Sequence, residues 1–141
     1  MPIVTPPTPS VRAPGRAYVE HVAIRVRDIH WHIRFFHDVL GMTAREIDGP
    51  AESPNQYWTL GGVQLMAAPD WQPAPVEAGQ LAHLGVMVED LEAALLLAVP
   101  FGVEPLAHAR HWLRLPDGLV VELLQATGHA VRDALAIDPR A

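Results

Sequence analysis

His21-Val22-Ala23-Ile24-Arg25-Val26-Arg27-Asp28-Ile29 returns 62 residues later as His83-Leu84-Gly85-Val86-Met87-Val88-Glu89-Asp90-Leu91. Each copy sets a histidine ahead of an alternating apolar stretch, then an aspartate suited to cap a helix. A repeat of this spacing in 141 residues means two copies of one supersecondary unit. Two units that each begin with a histidine can carry two imidazoles to one place. Imidazole is the commonest metal ligand, so the repeat bears on function as well as on fold.

Working outward from the first copy, Tyr18 to Val26 alternates as a strand. Asp28 opens a helix whose apolar positions are Ile29, Ile33, Phe36 and Leu40, with Gly41 as its stop. Strands follow at about Thr43 to Ile47, Gln56 to Leu60 and Val63 to Ala67, the last two joined by a Gly61-Gly62 hairpin. The second copy reads the same way. Leu81 to Val88 is a strand, and Asp90 caps a helix with Leu91, Ala94, Leu95 and Ala98 as its inner stripe. Strands near Pro105 to Ala109, His111 to Leu115 and Leu119 to Gln125 follow, the last entered through Pro116-Asp117-Gly118. The expected fold class is α+β: two tandem βαβββ modules whose curled mixed sheets form one metal-binding cavity. The expected organisation is a mobile proline-rich arm at 1–17, module one at 18–68, a linker at 69–80, module two at 81–126 and a C-terminal tail at 127–141, with a short helix over 128–137.

Composition narrows the chemistry. The chain has no cysteine and no lysine, which removes thiolate nucleophiles, disulfides, sulfur-rich zinc sites and Schiff-base catalysis. Its only serines, Ser10 and Ser53, lie outside any nucleophile-elbow pattern. A net charge of −6 with no basic run argues against a nucleic-acid partner. The longest apolar run is too short to span a bilayer, and the N-terminus carries no signal pattern, so a cytoplasmic protein with no membrane partner is expected. What remains is general acid–base chemistry, a metal, or both.

Strand alternation assigns the faces. The aliphatic residues of each first strand must meet their helix, so His21 and His83 fall on the opposite face. Gln64 and Met66 share a face of the hairpin strand, and Val120, Glu122 and Leu124 share a face of the last strand. If each sheet curls, His21, Gln64, His83 and Glu122 converge. Two imidazoles, a carboxylate and an amide oxygen suit a divalent metal such as zinc, nickel, cobalt, manganese or iron. His30, His32 and His37 sit on a helix whose outer face is solvated and are not expected to join them.

The pieces His21-x-x-x-Arg25-Val-x-Asp28-Ile, Phe35-Phe36-x-x-Val-Leu40-Gly41-Met42, His83-x-x-x-x-Val-x-Asp90-Leu and Pro116-Asp117-Gly118-x-x-x-Glu122-Leu resemble the vicinal oxygen chelate superfamily. That group includes glyoxalase I, methylmalonyl-CoA epimerase, extradiol dioxygenases, fosfomycin-resistance enzymes and bleomycin-type resistance proteins. The resemblance covers residues 18–125 and implies metal ligands at His21, Gln64, His83 and Glu122. The glutamine position is the open one: aligning the modules by Gly62 and Gly118 sets Met66 opposite Glu122, while Val63-Gln64 matches the stretch that carries the ligand in the epimerases. Arg25 matches an arginine that glyoxalase I uses to hold an anionic substrate group. The resemblance also implies a homodimer, in some relatives with each site built from two chains.

Three functions follow from it. The first is a metal-dependent glyoxalase-like lyase or isomerase acting on a small oxygenated substrate through a metal-stabilised enediolate, with Glu122 as proton shuttle. The second is an Fe(II) extradiol-type ring-cleavage dioxygenase with His21, His83 and Glu122 as a facial triad. The third is a metal-free protein that sequesters a ligand in the same cavity.

Overall fold

The computed structural model describes residues 19–75 and 78–137; the arm expected at 1–17 lies outside the described residues. Module one runs β1 (Val22–Val26), α1 (Ile29–Arg34), β2 (Ala44–Asp48), β3 (Gln56–Thr59) and β4 (Val63–Ala67). Module two runs β5 (Leu84–Val88), α2 (Leu91–Ala98), β6 (Glu104–Leu106), β7 (Ala109–Arg114) and β8 (Val120–Gln125), and α3 (Ala130–Ala136) follows. The sheets have the orders β1-β4-β3-β2 and β5-β8-β7-β6. In each, the first strand lies parallel to the last and the other pairs are antiparallel. The architecture is therefore two tandem βαβββ modules with mixed, open sheets. No helix among the described residues is long and apolar enough to cross a membrane.

The repeated aspartates act alike. Asp28 accepts a hydrogen bond from the Trp31 amide and Asp90 from the Ala93 amide, both at 3.0 Å, so each satisfies an amide that the first helical turn leaves unpaired. The apolar residues between histidine and aspartate turn toward the helices, and Val26 and Val88 are buried at equivalent places.

The first helix departs from its expected stripe. After α1 the chain widens into a π-helical turn over Phe35–Val39. The buried positions are Ile29, His32, Phe35, Phe36 and Val39, while Ile33 and Leu40 are only partly buried. Two consecutive phenylalanines, Phe35 and Phe36, are fully buried in this turn. Removing either ring would cost about 3–5 kcal/mol.

The modules meet through those rings. Trp31 and Phe35 stack at 5.2 Å, and Phe101 from module two stands edge-on to each at 5.6 Å. A polar clip reinforces this contact. Asp117 accepts from the Arg27 amide at 2.9 Å and from Arg27 Nε at 2.5 Å, with its carboxylate almost wholly buried. Asp117 adopts φ 69°, a left-handed conformation that costs a non-glycine residue energy, and the two bonds from Arg27 offset that cost.

His32 corrects the expectation of a solvated histidine: it is fully buried. Its Nδ1–H donates to the Asp28 carbonyl at 2.6 Å, and burial lowers its pKa from the ordinary 6.5. The unfolded chain therefore takes up a proton near pH 6.5 that the folded chain refuses. Stability falls as pH drops below that value and levels only below the folded pKa. Thermal unfolding should show a decreasing Tm from pH 7 toward acid, and His32→Leu should flatten that slope. An unchanged slope in the variant would show that other groups set it.

Candidate functional site

Module two builds a donor pair from strand register. Gly85 and Trp112 both pair with Glu122 across β5-β8-β7, so the face of Glu122 is the face that His83 enters, two residues before Gly85. His83 Nε2 lies 3.5 Å from Glu122 Oε2, and both side chains stay partly open to solvent. The Trp112 ring meets His83 at 4.6 Å and holds the imidazole from the side, with His108 against the same indole at 5.2 Å. Two donors bound to one cation at roughly 2.0–2.2 Å sit about 3–3.5 Å apart, so this pair fits half of a coordination sphere.

Module one builds its pair differently. His21 lies one residue ahead of β1, where the Val22 amide donates to the Gly62 carbonyl at 2.8 Å. A Cβ on Gly62 would stand 3.2 Å from the Glu20 carbonyl oxygen, and Gly62 has φ 96°, so glycine lets the hairpin close against the foot of His21. Gln64 pairs with Ala23 and Trp58, which puts it on the His21 face. It is buried, and its Nε2 donates to Gln56 Oε1 at 2.5 Å. That bond uses the amide nitrogen and leaves Oε1, the atom a metal would need. His21 Nδ1 is engaged by the Glu20 carboxylate, which leaves Nε2 as the outward nitrogen.

Of the four expected ligands, His83 and Glu122 lie close together, while His21 and Gln64 share only a face of their sheet. Among the described residues no three His, Asp or Glu side chains gather closely enough to hold one metal ion. Imidazole, carboxylate and amide oxygen are donor types that divalent cations accept, and His21, Gln64 and His83 each have a neighbour that orients the side chain.

Arg25 is exposed and pairs with Met66 on the His21 face, roughly 13 Å along the strand from His21. It lines a cavity of about 250 Å³ together with Leu81, Ala82 and Asp117. A larger cavity of about 600 Å³ takes in Glu20 and Val22 at the other end of β1, along with Gly85 and Met87 of β5. The start of β1 thus shares a cavity with Leu84 to Met87 of β5, and the end of β1 shares one with Leu81 and Ala82 ahead of β5. The two strands pass in opposite senses, and Arg25 belongs beside the segment that leads into His83.

Sequence reasoning passed over Glu20 and Gln56. Hairpin alternation carried a signal for Gln56, since it pairs with Met66 and so shares the Gln64 face. Glu20 falls within the strand expected from Tyr18, but β1 begins only at Val22, so alternation did not give the direction of its side chain.

The sequence matches the Glyoxalase/Bleomycin resistance protein/Dioxygenase superfamily over residues 18–112. The chain belongs to that superfamily. No curated protein matches it at a significant level. Among solved structures it is similar to the trypanothione-dependent glyoxalase I of Leishmania major, with TM-score 0.61 and 18% identity over 86% of this chain and 94% of that one. It is also similar to the fosfomycin resistance protein FosX of Mesorhizobium loti, with TM-score 0.57 and 18% identity over 89% and 99% of the two chains. A glyoxalase/dioxygenase of Nostoc punctiforme gives TM-score 0.56 and 20% identity over 86% and 99%. At these identities the likeness is one of fold.

If Gln64 is a ligand, Gln64→Ala should weaken metal binding in a competition titration, and Gln64→Glu should retain or tighten it by adding charge. Gln56→Ala should loosen the amide and weaken binding less than Gln64→Ala. Unchanged affinity in Gln64→Ala would leave a site of three ligands.

Proposed function

We propose that this member of the Glyoxalase/Bleomycin resistance protein/Dioxygenase superfamily is a divalent-metal-dependent lyase or isomerase of glyoxalase type, acting on a small oxygenated substrate. The observation that carries the reading is the approach of His83 Nε2 to Glu122 Oε2 on an open sheet face. His21, Gln64, His83 and Glu122 would hold the metal. The pairing of donors by module agrees with a homodimer in which one copy completes the set of the other. When bound, the metal supplies Lewis-acid polarisation of two adjacent substrate oxygens.

The chain's own residues do the rest. Glu122 takes a proton from the substrate carbon beside a carbonyl and returns it. Its partial exposure leaves room for that carbon to approach. Trp112 keeps His83 from rotating away. Arg25 holds an anionic substrate group at the neighbouring cavity. The cavity of about 600 Å³ is of the size small-molecule sites use, but neither Arg25 nor any of the four proposed ligands lines it, so it does not carry this reading.

That same cavity favours one second reading. Its lining is largely apolar, including Leu40, Met42, Leu60, Val86 and Leu135, and it would suit a protein that sequesters a ligand without a metal. Metal analysis of the purified protein separates the two: stoichiometric zinc, nickel, cobalt or manganese supports the lyase or isomerase, iron the extradiol dioxygenase, and no metal the sequestering protein.

Glu122→Gln keeps the size and an oxygen donor and removes the basicity. It should lose a modest part of metal affinity and about 10²-fold or more of turnover on a substrate found by screening α-hydroxycarbonyl compounds. Full turnover with full metal content would end the proposed role of Glu122. Loss of metal and turnover together would leave it a ligand only.

A further inference from the structure

Behind His21 stands a chain of charged groups that neither the sequence repeat nor the ligand set accounts for. Arg45, on β2, is buried, with its side chain 8% exposed. Its Nη1 donates to Glu20 Oε1 at 2.5 Å. The other oxygen of the same carboxylate, Oε2, engages His21 Nδ1. Glu20 is one-quarter exposed and lines the cavity of about 600 Å³, while the His21 side chain is 38% exposed. The order runs from protein interior to surface: guanidinium, carboxylate, imidazole.

Each link has a physical consequence. A guanidinium is always charged, and a buried one needs a fixed anion. Arg45 therefore pins Glu20 in one place. A pinned carboxylate is an acceptor only, so His21 must present N–H at Nδ1. The neutral imidazole then carries its lone pair on Nε2, away from the protein. Neutral histidine in water prefers the opposite tautomer, with the proton on Nε2, so the carboxylate selects the less common form.

We propose that Glu20 and Arg45 are positioning residues: together they fix the tautomer and the ring orientation of His21 so that Nε2 is presented as a donor. The inference rests on the reading of His21 as a metal ligand and deepens it. Module two lacks this device. The position equivalent to Glu20, one residue before His83, is Ala82, and His83 is steadied by Trp112 instead. The chain thus orients its two histidines by unrelated means.

The test reads the apo protein and the metal separately. Nitrogen-15 spectra of the imidazole in metal-free protein, at a pH where His21 is neutral, should show Nδ1 protonated and Nε2 bare. Glu20→Ala should return His21 to the common tautomer. Glu20→Gln, whose amide oxygen still accepts, should keep the selected form. In zinc or cobalt titrations, Glu20→Ala should lose about 10–100-fold of affinity, with Glu20→Gln between it and the parent. Arg45→Met, which keeps the apolar stem, should broaden or shift the same imidazole signals; circular dichroism identifies any variant that fails to fold, and the Glu20 series then carries the test. His21→Ala separates the two ideas. If it leaves metal affinity unchanged, the ligand reading fails and takes the proposal with it. If it removes affinity while Glu20→Ala alters neither tautomer nor affinity, the ligand reading stands and the positioning role is overturned. A purely structural role for Glu20 would lower Tm and leave the tautomer as it was.

Discussion

The contact between Phe101 and the Trp31–Phe35 stack is the constraint on which the rest depends. Neither module can bury its helix face alone, and the three rings close the gap between them. Three aromatic rings in edge and stacked contact define one relative orientation, because each pair prefers an offset or perpendicular approach. The Arg27–Asp117 clip then removes freedom about that contact on one side. The direction in which β1 passes β5 follows from this junction, and so does the placing of the donor pairs.

The clip also breaks the symmetry of the repeat. By the spacing of the two histidines, the counterpart of Arg27 is Glu89; by the glycine that ends each turn, the counterpart of Asp117 is Gly61. Glutamate facing glycine cannot form the clip. The cavity on the clipped side, lined by Arg25, Asp117, Trp71, Ala74, Gly79 and Ala82 among others, is about 250 Å³. The cavity on the unclipped side, lined by Gly61, Gly62 and β5, is about 600 Å³. A duplicated fold offers two equivalent hollows, and this chain ties one down and leaves the other roomy. The larger hollow also takes part of its wall from α3, through Ala130, Val131, Ala134 and Leu135, which has no counterpart among the described residues after module one.

Most of the fold was legible because it is local. Alternation found the strands, and the two aspartates marked both helix starts. Gly61-Gly62 marked a turn that Thr59 then locks, its hydroxyl bonding the Val63 amide and carbonyl at 3.1 Å. The misreadings have equally definite causes. In α1 the buried face runs from Ile29 to His32, three residues on, where the stripe was read four residues on and named Ile33; in the π-helical turn Phe35, Phe36 and Val39 are buried and Leu40 only partly so. The clip joins residues 90 positions apart, and no local pattern announces such a pair. Of the site, the faces of Gln64, His83 and Glu122 were readable from strand parity. Gln56 shared a readable face with Gln64, but the contacts of Trp112 with His83 and of Glu20 with His21 were not readable, since one crosses strands and the other lies ahead of β1.

The two histidines that advertise the repeat are therefore equivalent in sequence and unequal in surroundings. His21 is approached from behind by a charge pair and offers a single nitrogen. His83 is braced by an indole and stands beside a carboxylate on the adjacent strand. A carboxylate close to an imidazole can move a proton as well as bind a cation, whereas a carboxylate held by a buried arginine is committed to orientation. Duplication supplied the same residue twice, and the chain around each copy gave it different neighbours. On the proposed reading, acid–base chemistry would fall to module two, beside Glu122, and module one would supply a donor of fixed orientation.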